Sequence, residues 1–146
     1  MAFHIRIPVR FGDVDHARIV YYPRFINFFH VAFEELWQEE LGMPYVEVLE
    51  IHRVGLPAVK VDVDFKSPAR FGDVLEIEVQ VDHIGSSSVR FLHLVRREGR
   101  EEPIATARIT TVAMHMDTYE KMPVPDWVRA RLESYRARCA RSSPGY

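Results

Sequence analysis

The chain has 146 residues and a mass of 17.0 kDa, room for one compact domain that buries roughly 70% of its unfolded surface and too little for two catalytic domains. Hydrophobic residues make up 47% and charged ones 27%, with 7 Gly and 9 Pro, which excludes the disordered, collagen-like and low-complexity classes. The formal charge of −2, from 19 Lys and Arg against 21 Asp and Glu, gives no global pull toward nucleic acid or an anionic membrane, so a polyanionic ligand needs a local basic patch.

A single cysteine, Cys139, can form no internal disulfide and cannot build a Cys-rich zinc site, and a cytoplasmic setting is expected. The N-terminal segment MAFHIRIPVRFGD lacks the apolar stretch of an export signal, and no run of about 18 apolar residues occurs, so no membrane association is expected.

Along the chain, Phe3, Ile5, Ile7, Val9 and Phe11 alternate with polar residues, the period of a half-buried strand. Pro8 falls on the polar face and lacks a donor, which predicts an edge position. After a loop from Gly12 to Tyr22, the period changes to three and four through Phe25, Phe28, Phe29, Ala32, Phe33, Leu36, Trp37 and Leu41, predicting one long helix over about 23–41. Pro23 suits its first turn and Gly42 its end. Residues 43–56 read as a connector with one short helix. Val59, Val61, Val63 and Phe65, then Leu75, Ile77, Val79 and Val81, alternate with polar residues as half-buried strands, while residues 89–97 read as a strand apolar on both faces. A last strand is expected over about 104–116, followed by a short helix capped by Asp126 and carrying Trp127, Val128, Leu132 and Tyr135. Residues 139–146 read as a frayed tail. The plan is a single α+β domain over residues 1–146, with a helix lying across an antiparallel sheet of about five strands.

Chemistry concentrates in RFGDVDHARIVYYPRF, residues 10–25, which joins a strand to a helix N-terminus and carries Asp13 and Asp15. Both carboxylates can be turn residues bonding nearby amides. The N–H groups of Tyr22, Arg24 and Phe25 and the helix dipole, however, make a site for negative charge. A carboxylate beside such a site can hydrolyse an acyl group, by attacking its carbonyl or by activating a water, while an amide holds the developing oxyanion.

On these residues the whole chain resembles a hotdog-fold thioesterase of the 4-hydroxybenzoyl-CoA thioesterase family. FGDVDHARIVYYP is similar to that family's strand-to-helix loop, and VDFKSPARFGDVLEIEVQV to its sheet, over about residues 4–116. The resemblance implies that Asp15 is the catalytic carboxylate, that Tyr22 offers its backbone amide to the thioester oxygen, and that the substrate is an acyl-CoA. It also implies a homodimer or homotetramer with the site between subunits. Neither a metal nor another cofactor is implied. Two departures stand out: Arg18 replaces a usual glycine, and Gly85 to Ser88 replace a basic cluster that holds nucleotide phosphates. Lys66, Arg70, Arg90 and Arg96 are alternative phosphate contacts or solvated charges.

His30 and Glu34 have i, i+4 spacing without a third ligand, which does not make a metal site. His30 borders the apolar stripe roughly 12 Å along the helix from Tyr22. With Phe33 and the loop residues Val20 and Tyr21 it is expected to shape the acyl end of a pocket, where an imidazole could bond a ring hydroxyl. The helix segment HVAFEELW also resembles that of 1,4-dihydroxy-2-naphthoyl-CoA thioesterases, which implies an aromatic acyl group. Serine chemistry lacks its strand-turn-helix context. Arg129, Arg131, Arg136, Arg138 and Arg141 read as a solvated helix face rather than an RNA site. A non-catalytic acyl-CoA-binding module and a thioesterase for acyl carrier protein thioesters are the alternatives.

Overall fold

The computed structural model of the chain describes residues 2–142. In chain order the elements are β1 (His4–Pro8), a 3-10 turn (Phe11–Asp13), α1 (Pro23–Glu39), α2 (Tyr45–Glu50), β2 (Val54–Gly55), β3 (Ala58–Phe65), β4 (Val74–Ile84), β5 (Ser88–Arg97), β6 (Pro103–Val112), β7 (Met114–His115) and α3 (Asp126–Ser142). Five strands form one antiparallel sheet in the order β1-β4-β5-β6-β3, and β2 pairs with β7 as a separate ribbon. β1 is an edge strand, as Pro8 predicts.

The aromatic stripe of α1 determines which sheet face is buried. Phe25, Phe28, Phe29, Ala32, Phe33, Leu36 and Trp37 are all buried, and they meet the inward residues of the strands at every second position. Phe29 lies against His93 with ring centroids 5.1 Å apart, Phe33 stands edge-on to Phe91 at 5.4 Å, and Phe25 edge-on to Phe65 at 5.4 Å. Leu75, Ile77, Val79 and Val81 of β4 complete the floor. The opposite face carries Glu76, Glu78, Gln80 and Asp82 across from Arg90 and Arg96, with Arg90 donating to Asp82 at 2.6 Å. Leu92 and Leu94 point to this charged face and stay half-buried, so only one side of β5 is core. Pro23 occupies the first turn of α1, and Gly42 follows its end with φ of 86°. A side chain at Gly42 would also strike the Arg131 guanidinium at 2.7 Å.

The structure differs from the sequence reading at four places. Phe11 falls beyond β1, in the 3-10 turn, and is 80% exposed. The strand expected over 104–116 breaks at Ala113, because β7 leaves the main sheet to pair with β2. Most of the apolar face of β3 is open: Val59, Val61 and Phe65 are 61%, 41% and 49% exposed and Val63 alone is half-buried, since β3 is the far edge and α1 covers it only in part, Phe25 meeting Phe65. Finally, the C-terminal helix has 17 residues. Cys139, placed in the expected frayed tail, packs against the core, and 139–142 continue α3. Residues 143–146 of that tail lie outside the described residues.

Backbone hydrogen bonds explain why α3 holds. The buried Tyr135 hydroxyl accepts from the Phe3 N–H at 2.8 Å and donates to the Val79 carbonyl at 2.5 Å, bridging the last gap between the ends of β1 and β4. Burial and the adjacent Cys139 side chain hold this phenol well above its ordinary range. Of the arginines expected on a solvated face, Arg136 and Arg138 are exposed and Arg129 and Arg131 half-buried, and all four also act as clamps: Arg129 donates to the Gly85 carbonyl at 2.7 Å, Arg131 to Leu41 at 2.6 Å, Arg136 to Asp82 at 3.3 Å and Arg138 to Glu40 at 3.0 Å. The Arg141 side chain lies outside the described residues. Tyr135→Phe leaves two backbone groups without their bridge and should cost about 2 kcal/mol. Urea unfolding should show a lower midpoint at unchanged slope.

Candidate functional site

The loop between β1 and α1 folds around its two carboxylates, which are used differently. One Asp13 oxygen accepts the Arg10 N–H at 2.9 Å, and its carbonyl accepts the Tyr21 N–H at 2.9 Å, so Asp13 ties the turn to the start of α1. Asp15 is exposed. Its Oδ1 accepts the Ala17 N–H at 2.8 Å, an Asx turn, and its Oδ2 has no partner among the described residues. The Asp15 backbone closes the loop through the N–H bond to the Ile19 carbonyl at 3.1 Å and the bond accepted from Arg18 at 2.9 Å. That closure requires Arg18 to adopt φ of 66°, the left-handed region. The glycine implied by the resemblance is comfortable there, whereas arginine loses about 1 kcal/mol.

Of the three amides expected to face an anion, two are spent. Arg24 N–H donates to the Tyr21 carbonyl at 2.8 Å and Phe25 N–H to the Tyr22 carbonyl at 3.1 Å. Pro23 has no N–H. The Tyr22 amide therefore remains the unpartnered donor at this helix start among the described residues. Asp15 opens into a cleft bordered by Phe11, Val14, His16, Arg18 and Phe71.

A second cavity of about 190 Å³ lies under α1. The half-open side chains of Ile26, His30, Ala58 and Val61 surround its mouth, and the buried Phe29, Phe33, Phe91 and His93 line its depth. His30 and Phe33, expected at an acyl pocket, do meet here and stack with centroids 5.8 Å apart. His30 is exposed and its Nε2 lies 3.3 Å from Glu34. No group of three or more His, Cys, Asp or Glu able to hold a metal was found among the described residues. Val20 and Tyr21 do not border this cavity. Val20 is buried and donates to the Ala69 carbonyl at 2.8 Å, and Tyr21 is half-exposed beside Tyr22. The cavity and the Asp15 cleft have no bordering residue in common.

His93 went unnoticed in the sequence because β5 reads as apolar on both faces. The available signal is parity: His93 shares a face with Val89, Phe91 and Val95, all buried. It is 1% exposed, and among the described residues neither ring nitrogen has a partner in good hydrogen-bond geometry, although the Phe29 backbone lies close by. Burial pushes its imidazole down to about 4, opposed in part by the nearby Phe29 backbone.

Among the basic residues considered for phosphates, Arg90 is taken by Asp82, and Arg96 donates to the Glu101 carbonyl at 3.2 Å. Lys66 and Arg70 are exposed, and their side chains make no ion pair among the described residues.

The sequence profile of the thioesterase-like superfamily matches residues 9–132. The chain belongs to that superfamily. A 1,4-dihydroxy-2-naphthoyl-CoA hydrolase of Synechococcus elongatus is 31% identical over 126 residues, covering 83% of this chain and 90% of that protein. A solved gentisyl-coenzyme A thioesterase superposes with a TM-score of 0.78 and 28% identity, over 87% of this chain and 99% of that one. A thioesterase-superfamily structure from Jannaschia sp. CCS1 gives 0.85 and 28%, over 91% and 92%. The helix-on-sheet architecture is the hotdog fold, and the protein is a thioesterase.

In this thioesterase the buried imidazole makes stability depend on pH. The unfolded chain takes up a proton at His93 below about pH 6.5, while the folded chain does so only near 4, so stability falls as pH drops through that window. The loss due to His93 should reach about 3 kcal/mol at pH 4. Chemical denaturation at stepped pH values checks this, and His93→Leu should remove that part of the slope.

Proposed function

We propose that this thioesterase hydrolyses an aromatic or short acyl-CoA, of the 4-hydroxybenzoyl-CoA kind, to the free acid and CoA. The observation that carries the reading is one loop holding both an exposed carboxylate with an unpartnered oxygen, on Asp15, and an unspent backbone donor, on Tyr22. Asp15 acts on the thioester as nucleophile or as general base toward water. The carbonyl oxygen gains negative charge as the tetrahedral centre forms, and the Tyr22 N–H at the positive end of α1 holds it, a contribution of about 3 kcal/mol for one such donor. The carbon–sulfur bond then breaks. The thiol leaves with a proton. With Asp15 as base the attacking water becomes part of the acid, and with Asp15 as nucleophile the acyl group stays on its carboxylate as an anhydride until water cleaves it, so the reaction needs no oxidant or reductant. The activities of the relatives, on 1,4-dihydroxy-2-naphthoyl-CoA and gentisyl-CoA, support an aromatic acyl group.

His30 and Phe33 shape the acyl end in this reading, and Lys66 and Arg70, exposed and without an ion pair among the described residues, take the CoA phosphates. A cytoplasmic setting rests on the lone thiol. The working unit is a homodimer or a pair of dimers. β3 leaves an edge of unpaired backbone groups and an apolar face uncovered, which a second copy can pair and cover. Antiparallel pairing centred on Val61 sets that residue opposite its own counterpart and brings Ala58 of one copy beside Phe65 of the other. Ala58 borders the acyl cavity, and Phe65 touches Phe25 in the first turn of α1. In this proposed arrangement Asp15 and Tyr22 of one copy serve the other copy's cavity, in keeping with the two having no bordering residue in common within a chain.

Thiol release from a panel of aryl- and alkyl-CoAs tests the reading. Asp15→Asn should lower turnover at least about a hundredfold with little change in stability, and Asp13→Asn should do far less. Near-normal turnover of Asp15→Asn contradicts the assignment. Lys66→Ala with Arg70→Ala should raise KM for the CoA thioester but not for the matching pantetheine thioester. Sedimentation should give a dimer or tetramer, and Val61→Lys, which sets like charges against each other at the pairing centre, should give a folded monomer with at least about tenfold lower turnover.

A further inference from the structure

We infer that His93 is the specificity residue of this thioesterase, bonding a ring hydroxyl on an aromatic acyl group seated in the cavity under α1; the inference rests on the aromatic reading of its substrate. Nearly all buried polar groups in folded proteins find a partner, and the exceptions call for an explanation. His93 is such an exception, set among Phe29, Phe91 and the inward residues of β4. It borders a cavity whose other polar side chains each have at least one partner. The Tyr45 hydroxyl accepts the Leu56 N–H at 2.9 Å, Thr111 Oγ1 donates to the Val89 carbonyl at 2.9 Å, and His30 lies against Glu34 at the mouth. Trp37 Nε1 is also buried without a partner, but it does not border this cavity.

Size and charge narrow the ligand. An apolar cavity of about 150 Å³ accepts a benzene molecule, so about 190 Å³ accommodates one ring with a small substituent. With its imidazole pushed down to about 4, His93 is neutral at pH 7 and presents one donor and one acceptor. A neutral hydroxyl, itself donor and acceptor, matches that pair. A carboxylate or a second charged group would have to enter an apolar site without a counter-charge. Such a site favours the hydroxylated ring strongly, because the unsubstituted analogue leaves the imidazole unbonded and shut off from water.

The test is kcat/KM for benzoyl-CoA and its 2-, 3- and 4-hydroxy derivatives with the wild-type chain, His93→Leu and His93→Gln. His93→Leu should lose at least about tenfold on the hydroxylated isomer that the wild type prefers, and less than about threefold on benzoyl-CoA. His93→Gln, which keeps a donor and an acceptor, should recover part of the preference. His93→Leu should also raise Tm at pH 7, because it removes a buried polar group that nothing in the free protein satisfies. An equal loss on all four substrates, an unchanged preference, or a lowered Tm overturns the role of His93 while leaving the aromatic reading intact. A wild-type chain that hydrolyses alkyl-CoAs and none of the aryl ones overturns the aromatic reading and this inference together.

Discussion

Everything at the site depends on the seating of the α1 aromatic stripe on β5. Phe29 on His93 and Phe33 on Phe91 fix the helix over the middle of the sheet, and Phe25 on Phe65 fixes its first turn beside the β3 edge. The same three contacts set the position of the Tyr22 amide and the roof of the cavity. A buried aromatic contributes about 2 kcal/mol or more through burial alone, so a shift of α1 large enough to misplace Tyr22 would forfeit several such contacts. The rigidity that the proposed oxyanion donor needs thus comes from the core rather than from the loop.

Two features oppose stability at the site. Arg18 holds a left-handed backbone so that the loop can close around Asp15, and His93 is buried without a partner. The compensation lies elsewhere: in the Tyr135 hydroxyl that bridges β1 and β4, and in the four α3 arginines that donate to carbonyls of neighbouring segments. α3 borders neither the cavity nor the Asp15 cleft, and it packs against the C-terminal end of α1, with Trp127 edge-on to Trp37 at 6.3 Å and Arg131 and Arg138 donating to the Leu41 and Glu40 carbonyls.

The period of three and four made α1 legible from its sequence, with Pro23 and Gly42 marking its ends, and alternation made β3 and β4 legible because their inner and outer residues differ so sharply. Alternation cannot tell which neighbour covers a face. The apolar side of β3 is as regular as that of β4, yet it lies open because the topology puts β3 at the edge. The length of α3 was hidden because its surface is dominated by arginines whose partners are backbone carbonyls distant in sequence. In the loop, the residue types offered two carboxylates and three amides, and the family resemblance singled out Asp15 and Tyr22. The hydrogen bonds give the physical distinction, Asp13 tying the turn while Asp15 keeps an oxygen free among the described residues, and the Arg24 and Phe25 amides being spent.

The account turns on a site divided between copies, with Asp15 from one chain and the acyl cavity from the other. Subunit complementation measures this directly. Asp15→Asn removes the carboxylate, and His30→Trp fills the cavity mouth from an exposed position; each variant alone should be nearly inactive. Mixed under conditions that exchange subunits, half of the dimers are hybrids with one intact site of two, and turnover should return to about a quarter of the wild-type value. No recovery in a mixture shown to contain hybrids would mean that one chain supplies both parts, and would contradict the account.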